Sequence, residues 1–167
     1  PIVVNDSVGF FTSRVYGMPL AEGVSLVAEG VHPERIESLA KQLGMPVGPL
    51  ASYDEVSIRL AMEITDTQIA MGLLDPSQDP TPMASQLLRQ LLNDHQRGGR
   101  RFGGGFYDYA NSGKTLWPKL HELYYQAEKD ADISDADIKD RLLFRAVIES
   151  LKCLQEGVLR SVADGNI

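Results

Sequence analysis

A chain of 167 residues, of which 43% are hydrophobic, has the composition of an ordinary globular protein with one or two small domains. A chain of this length buries about 70% of its unfolded surface on folding, so its stability requires neither disulfides nor a structural metal. The formal charge of -7 argues against binding to nucleic acid or to an anionic membrane. The sequence shows no membrane-spanning run and no signal-peptide pattern, and we expect a cytoplasmic protein.

Helical patterns dominate the sequence, and only the first four residues and the segment 103–109 are predicted to be extended. A first helix is predicted over 11–29, with Gly30 as its stop and a kink at Pro19, because proline has no amide hydrogen for the helical bond. Further helices are predicted at 33–43, 52–74, 82–97, 115–126 and 134–156. The sequence therefore predicts six or seven helices with almost no sheet.

Two of these helices have a capping signal at their first residues. In "SYDE", Ser52 and Glu55 have the spacing of a capping box, which predicts that the third helix begins there. Ser134 is predicted to cap the long last helix in the same way.

The first and last long helices resemble each other in sequence. When Arg14 is laid on Arg141, four more identities follow without a gap: Glu22 with Glu149, Glu29 with Glu156, Gly30 with Gly157, and Val31 with Val158. Any two amphipathic helices share some spacing, so chance similarity and an internal repeat both remain open on this observation alone.

Four motifs occur in order along the chain: "GFFTSR", "EGV", "MPVGP" and "GGGFYDY". In this combination they resemble the C-terminal domain of the 3-hydroxyacyl-CoA dehydrogenases of fatty-acid β-oxidation, over essentially the whole chain. The resemblance implies an all-α helical bundle of that domain type, similar to the C-terminal domain of 6-phosphogluconate dehydrogenase, with one short extended loop segment.

The resemblance is greatest to the multifunctional α subunits of the fatty-acid oxidation complex. These subunits join an enoyl-CoA hydratase to the dehydrogenase and carry two copies of the helical unit. Here "RLLFRAVIESLKCLQEGVLRSVADGNI" resembles the opening of the second copy. We therefore divide the chain into a first helical unit at 1–115 and, at 116–167, a linker helix with the start of a second, truncated repeat. We expect the chain to be part of a longer enzyme.

The start of the first helix carries the catalytic candidate. Gly9 permits a tight entry, and Phe10 and Phe11 are predicted to wedge the helix into the core. By resemblance, the next positions face the active site, and the position of Ser13 usually carries an Asn that hydrogen-bonds the 3-oxygen of the substrate and supports the catalytic His. We therefore assign Ser13 as catalytic and Thr12 as substrate-binding, able to share that role directly or through a water. The alternative is that Ser13 only starts the helix.

The loop "MPVGP" is predicted to line the acyl end of the substrate pocket. By resemblance, this loop contacts the acyl group, usually with Met where Val47 stands. Val47, Gly48 and Pro49 are therefore the substrate-binding candidates here. Asp54 follows on the next helix, and Ser57 replaces a glycine that is usual in the family, which puts the local packing of the helices in question.

The segment "QRGGRRFGGGFYDY" has the composition of a backbone nest for the phosphates of CoA or NAD. It lacks the strand, glycine turn and helix of a dinucleotide fingerprint, and by resemblance it is a packed loop. Its aromatic residues are therefore interpreted as anchors: Phe106, Tyr107 and Tyr109. Its arginines form a candidate CoA-side or interdomain patch, in which Arg100 is the substrate-binding candidate: Arg97, Arg100 and Arg101.

Other chemically capable residues are interpreted as structural. Arg14 is interpreted as an ion-pair partner. Cys153 is the single cysteine, which excludes an intramolecular disulfide and favours the role of a small buried hydrophobe. His32, His95 and His121 stand in neither metal-ligand nor nucleophile-base spacing and are expected at the surface. We predict no metal site.

Hydride transfer needs a nicotinamide held by a Rossmann unit, and this chain has neither its glycine fingerprint nor a βαβ pattern. By resemblance, the His-Glu general base pair also lies in that unit. We therefore expect the chain to be the substrate-binding and dimerisation part of an NAD-dependent 3-hydroxyacyl-CoA dehydrogenase, inactive alone. The NAD would be bound by an N-terminal Rossmann domain of the same polypeptide, and not by this chain.

The expected partners are the acyl-CoA substrate, the Rossmann domain, a second copy of the protein and a thiolase subunit. A free-standing helical interaction module descended from such a domain is the alternative function. The helical half of a 2-hydroxyacid or sugar-acid dehydrogenase is a third, but "MPVGP" and "GGGFYDY" fit it poorly.

Overall fold

A computed structural model describes residues 2–111 and 113–166, and within them the chain forms nine α-helices and one two-stranded sheet. Pro1, Ser112 and Ile167 lie outside the described residues. The helices are α1 (Thr12–Ala28), α2 (Pro33–Gln42), α3 (Pro49–Val56), α4 (Ile58–Ala70), α5 (Pro82–Asn93), α6 (Pro118–Tyr124), α7 (Ala127–Asp132), α8 (Asp135–Gln155) and α9 (Val162–Gly165). The strands β1 (Tyr107–Ala110) and β2 (Gly113–Leu116) are antiparallel, with Tyr107 opposite Leu116.

The expected helical bundle is confirmed, and the two long helices lie within about one residue of their predicted bounds. Each ends near a glycine with a positive φ, which is 106° at Gly30 and 75° at Gly157. Glycine adopts this left-handed conformation without the steric cost of a Cβ. The glycine signals in the sequence therefore fixed both helix ends.

The helix start predicted at Ser52 is wrong. The helix α3 begins at Pro49, whose fixed φ suits the first helical position, and Ser52 lies inside it. The single longer helix expected here is interrupted at Ser57, which has a φ of 88°. The Ser57 hydroxyl accepts a hydrogen bond from the amide of Leu60 at 3.3 Å and donates one to the carbonyl of Gly98 at 3.0 Å. A conformation that suits glycine is thus held by a serine with two hydrogen bonds.

The central helix of the bundle is α1, which packs against α8, α5 and α3. Its second half is buried almost completely, including the polar residue Glu22. The largest fully buried side chains of the core around it are Phe106, Leu26, Ile36, Leu50, Ile58, Leu87, Leu88, Leu91, Leu120, Ile138 and Leu142. A smaller cluster joins the two ends of the chain and consists of Cys153, Val158 and Leu159, packed against Ile2, Val4, Phe11 and Leu154.

The aromatic wedge predicted at the start of α1 is formed by Phe11 alone. Phe11 is half-buried against the smaller cluster. The side chain of Phe10 is 54% exposed, because Gly9 and Phe10 have φ values of 77° and 49° and turn the backbone away from the core. The helix therefore begins on an exposed turn.

The hairpin is anchored to the bundle by the buried carboxylate of Asp54. This carboxylate accepts hydrogen bonds from the amides of Phe106 at 2.8 Å and Tyr107 at 2.9 Å, and from the hydroxyl of Tyr109 at 3.0 Å. A Cβ at Gly105 would lie 1.8 Å from an Asp54 oxygen, so only glycine fits there. The aromatic residues of "GGGFYDY" thus hold the hairpin against α3.

The phenol of Tyr53 makes the stability of the fold depend on alkaline pH. Burial, reinforced by the charge of Asp79, raises the pKa of Tyr53 to about 12. In the unfolded chain the Tyr53 phenol loses its proton near pH 10. The contribution of this phenol to the free energy of unfolding is therefore fully present below about pH 10 and is lost as the pH rises toward 12. At pH 11 the loss is on the order of 1 kcal/mol. Urea unfolding measures the free energy of unfolding at pH 9 and at pH 11. Between these two pH values it should fall less in Tyr53→Phe than in the original protein, and equal falls in the two proteins would contradict this.

Candidate functional site

The first turn of α1 presents polar side chains to solvent. Thr12 and Ser13 are both exposed. Phe11 is the residue at the cap position, and among the described residues no side chain caps this helix. Ser13 is thus inside the helix and does not act as its cap. Its hydroxyl and the first amide groups of α1 face outward together.

One turn further along α1, Tyr16 connects this surface to α3. Residues three apart share a helix face, so Tyr16 and Ser13 point in a common direction. The hydroxyls of Tyr16 and Ser52 are 3.2 Å apart, and the Ser52 hydroxyl donates to the carbonyl of Val47 at 3.5 Å. Ser13 and the loop that precedes α3 therefore belong to one surface.

The three candidates in that loop have different environments. Val47 is exposed, whereas Gly48 and Pro49 are buried. A Cβ at Gly48 would lie 2.5 Å from the carboxylate of Glu37, and a Cβ at Gly23 would lie 2.5 Å from Pro49. Gly48 and Pro49 thus fix the path of the loop by close packing, and Val47 is the member of the three whose side chain reaches the surface.

The buried carboxylate of Glu37 fixes the end of the loop where α3 begins. It accepts hydrogen bonds from the amide of Leu50 and from the hydroxyl of Tyr107, both at 2.8 Å. Burial and the adjacent Glu37 charge raise the pKa of Tyr107. Beside this pair, an open groove of about 700 Å³ runs between α2 and β2 and is lined by residues that include Glu34, Ser38, Lys41, Gln42, Lys114 and Thr115.

Arg100 lies at the other end of α3. Its Nη1 donates to both carboxylate oxygens of Glu55, at 2.8 and 3.1 Å, and its guanidinium lies 5.4 Å from the ring centre of Tyr109. Glu55 shares a face of α3 with Ser52, whereas Val47 precedes the helix start. An eight-residue helix is about 12 Å long, so Arg100 flanks the surface around Ser13 and its charge is already paired.

Two more of the candidate residues have structural roles. Arg97 donates to Asp108 at 2.6 Å and lies 4.4 Å from the ring centre of Trp117, which fixes the hairpin. His32 is half-buried and caps α2, since its Nδ1 accepts a hydrogen bond from the amide of Glu34 at 3.2 Å. The sequence did not predict this capping role of His32. Within 2–111 and 113–166, no group of three or more His, Cys, Asp or Glu residues is placed to hold a metal ion.

Two ion networks join α1 to α8. In the first, Arg14 Nε donates to Glu149 at 2.7 Å and Arg14 Nη1 donates to Glu156 at 2.6 Å. The second repeats the arginine and its two glutamates with the helices exchanged, with Arg141 bonded to Glu22 at 2.6 Å and to Glu29 at 2.5 Å. It also contains Arg145, which bonds to Glu22 at 2.5 Å. These are the positions that the two similar helices align in sequence. Each helix therefore holds the arginine of the other.

The family model for the C-terminal domain of 3-hydroxyacyl-CoA dehydrogenase matches residues 9–109. This range contains the first turn of α1, the loop before α3 and the anchored part of the hairpin. The chain belongs to this family. It is also 29% identical, over all of its 167 residues, to proteins named fatty acid oxidation complex subunit alpha from two strains of Vibrio cholerae serotype O1, O395 and El Tor Inaba N16961. The chain spans 23% of the length of these relatives.

In this domain, the sequence predicted roles for Ser13 and Val47 but not for Tyr16 and Ser52, whose contact joins the two segments. The spacing of Tyr16 from Ser13 was a usable signal for a shared face. The pairing of Tyr16 with Ser52 depends on the packing of α1 against α3, which no local pattern encodes. Within the part of the domain that the structure describes, no helix has the length and apolar character required to cross a membrane.

Proposed function

We propose that this chain forms the substrate-facing part of a cytoplasmic, NAD-dependent 3-hydroxyacyl-CoA dehydrogenase, which oxidises a 3-hydroxyacyl-CoA to the 3-ketoacyl-CoA. The observation that carries the proposal is the exposed polar turn at Thr12 and Ser13, joined to the loop of Val47 in a domain of this family. The substrate would extend from the Ser13 hydroxyl toward Val47 at its acyl end, with Arg100 on the CoA side.

The described residues do not fit a site for NAD. The sheet is a single antiparallel pair, whereas a dinucleotide fold uses parallel strands followed by helices. The glycine-rich segment leads into a hairpin, and its amides are already bonded internally: Gly99 to Gly104, Gly104 to Gly99, and Gly105 to Tyr107. The proposal therefore places NAD on a Rossmann domain elsewhere in the same polypeptide, together with the general base.

Ser13 has the properties needed to assist the reaction at the 3-oxygen. In the proposed reaction, the 3-hydroxyl would give its proton to the general base and C3 would give its hydride to NAD, so negative charge would gather on the 3-oxygen before the carbonyl forms. A hydroxyl that does not cap its helix is free to donate a hydrogen bond to that charge. The shorter side chain of Ser, compared with the Asn usual in the family, requires a closer approach of the substrate to α1.

The first turn of α1, the loop before α3 and α3 itself also expose apolar side chains, namely Phe10, Tyr16, Val47 and Val56. Exposed apolar groups that surround a polar center are typical of a surface that another domain covers. The proposed cover is the Rossmann domain, because hydride transfer requires its nicotinamide to meet the substrate at Ser13.

We further infer that 116–167 contains the start of a second helical unit. The reciprocal ion networks support this, and so does an exposed apolar stripe on α8, composed of Leu143, Phe144, Val147, Ile148 and Leu151. In the alignment of the two helices, three of these positions correspond to Leu20, Ala21 and Val24, which are buried in α1. Helices equivalent to α3 and α5, further along the polypeptide, would cover the stripe. Association of two copies of the protein stays a prediction.

The isolated chain is expected neither to bind NADH nor to oxidise a 3-hydroxyacyl-CoA, because the nucleotide site and the general base lie outside it. Calorimetric titration of the chain with NADH tests this, with the complete protein as the positive control. Micromolar binding to the chain alone would contradict the proposal. A start codon at this point in the gene, with no Rossmann domain upstream, would favour the free-standing interaction module.

A further inference from the structure

We propose that Glu149 and Glu156 of α8 are positioning residues for Ser13 and act through Arg14. The inference rests on the proposed function of Ser13. Arg14 follows Ser13 in the first turn of α1, and its guanidinium bonds to Glu149 at 2.6 to 2.7 Å and to Glu156 at 2.6 Å. The arginine and Glu149 are largely buried, with side-chain exposures of 19% and 10%.

Apart from the packing of Phe11 on the smaller cluster and the contact of Tyr16 with Ser52, the start of α1 has few other interactions that fix its position. Two residues before it, Gly9 and Phe10, have positive φ values, and within the described residues neither a capping side chain nor an acidic first-turn residue stabilises it. Arg14 Nη1 also approaches the Ser7 hydroxyl at 3.4 Å, on the far side of the exposed turn. The guanidinium of Arg14 thus contacts the segment that precedes α1, at Ser7, and also fixes the first turn of α1 through its bonds to α8. We call Arg14, Glu149 and Glu156 the front clamp.

Glu156 in the front clamp is charged at neutral pH, because the hydrogen bond from Arg14 lowers the pKa of its carboxyl below the usual range. A charged clamp holds a fixed geometry better than a neutral one, because each hydrogen bond is stronger. Because a preorganised donor must lie close to the developing charge, a small displacement of the first turn weakens its effect on the reaction.

The second ion network supplies a matched control within the same domain. We call Arg141, Glu22 and Glu29 the rear clamp. The start of α8 has its own cap, since the Ser134 hydroxyl accepts a hydrogen bond from the amide of Asp137 at 3.1 Å. The counterpart of Ser13 in this helix is Asp140, to which no substrate role is assigned. The rear clamp therefore repeats the arginine and two glutamates of the front clamp away from the proposed site. Glu22 differs from Glu149 in having a second arginine partner, Arg145, so Glu22→Gln should cost at least as much stability as Glu149→Gln.

The test compares Glu149→Gln with Glu22→Gln in the complete protein, each of which removes one buried charge and keeps the side-chain volume. Both variants should lower the thermal unfolding temperature. Only Glu149→Gln should lower kcat, by roughly three- to tenfold, with KM for the acyl-CoA almost unchanged, because the Ser13 bond strengthens in the transition state. The loss should disappear when Ser13 is already alanine. Equal losses of kcat in the two variants, or an undiminished loss in the Ser13→Ala background, would overturn the proposal.

A second readout does not depend on activity. Hydrogen exchange at the amides of 15–18, which are bonded within the helix, should become faster in Glu149→Gln and stay unchanged in Glu22→Gln, and the reverse pattern would overturn the proposal. If Glu149→Gln does not fold, Glu156→Gln is the substitute, since half of the Glu156 side chain is exposed. Failure of the proposed function is distinguishable, because it would appear as an inactive original protein or as a fully active Ser13→Ala.

Discussion

Replacing Ser13 by alanine is expected to lower the proposed dehydrogenase turnover of the complete protein by about ten to a hundredfold while leaving its melting temperature nearly unchanged. The rate falls because the variant loses a hydrogen bond that forms as negative charge gathers on the 3-oxygen, worth about 1 to 3 kcal/mol. The melting temperature is retained because Ser13 is exposed and the cap position belongs to Phe11. If Thr12 or a water takes over the hydrogen bond, the rate falls less.

The measurement is steady-state oxidation of a 3-hydroxyacyl-CoA, followed as NADH absorbance, together with thermal unfolding of the same preparation. Thr12→Ala is the matched control, because it removes the adjacent exposed hydroxyl and should lower kcat less than Ser13→Ala does. If Ser13 only starts the helix, the opposite result is expected: Ser13→Ala should keep its activity and lose stability, since a lost capping hydroxyl costs about 1 kcal/mol. A destabilised but fully active Ser13→Ala enzyme would therefore mean that Ser13 only starts a helix.

Replacing Asp54 by alanine is expected to lower the free energy of unfolding by about 2 to 5 kcal/mol. The carboxylate is completely buried and binds two buried amides, of Phe106 and Tyr107. Each amide left without a partner costs about 1 to 3 kcal/mol, and small domains have only about 5 to 15 kcal/mol in total. The hairpin should therefore detach from α3, and Arg100 should lose its contact with the ring of Tyr109.

Urea unfolding followed by circular dichroism measures this effect. Tyr109→Phe is the control, since it removes only the third hydrogen bond to Asp54 from a half-buried hydroxyl, at a cost of about 1 kcal/mol. An Asp54→Ala protein as stable as Tyr109→Phe would show that the buried amides find other partners and that Asp54 is not the anchor of the hairpin.

The helices that sequence reasoning predicted well are those whose ends carry local signals. Gly30 and Gly157 mark stops because a positive φ suits glycine, and Ser134 marks a start because its side chain caps the helix. The break at Ser57 was not predicted, although the Ser57 side chain caps α4 and the family usually has a glycine at this position. Its positive φ is held by a bond to Gly98, which is distant in sequence, so only the packed fold determines it. Strand β2 was also missed, because four residues without alternation of polar and apolar side chains give no pattern.

The candidate site divides in the same way. Family resemblance pointed to Ser13 and Val47, whereas the burial of Gly48 and Pro49 depends on how tightly α1, α2 and α3 approach each other. Sequence comparison also aligned Arg14 with Arg141. The ion pairs between the two helices could not be predicted, because a sequence repeat does not show whether its two copies are in contact. They form because α1 and α8 pack antiparallel.

The most direct test of the central claim is hydrogen exchange of the complete protein with and without acetoacetyl-CoA, in the presence of NAD, with NAD alone as the control. If this chain supplies the substrate-facing surface, addition of the acyl-CoA should slow amide exchange at 10–17 and at 45–56. Unchanged exchange in both segments, with protection instead along the groove between α2 and β2 at 34–42 and 113–116, would contradict the account and place the substrate elsewhere.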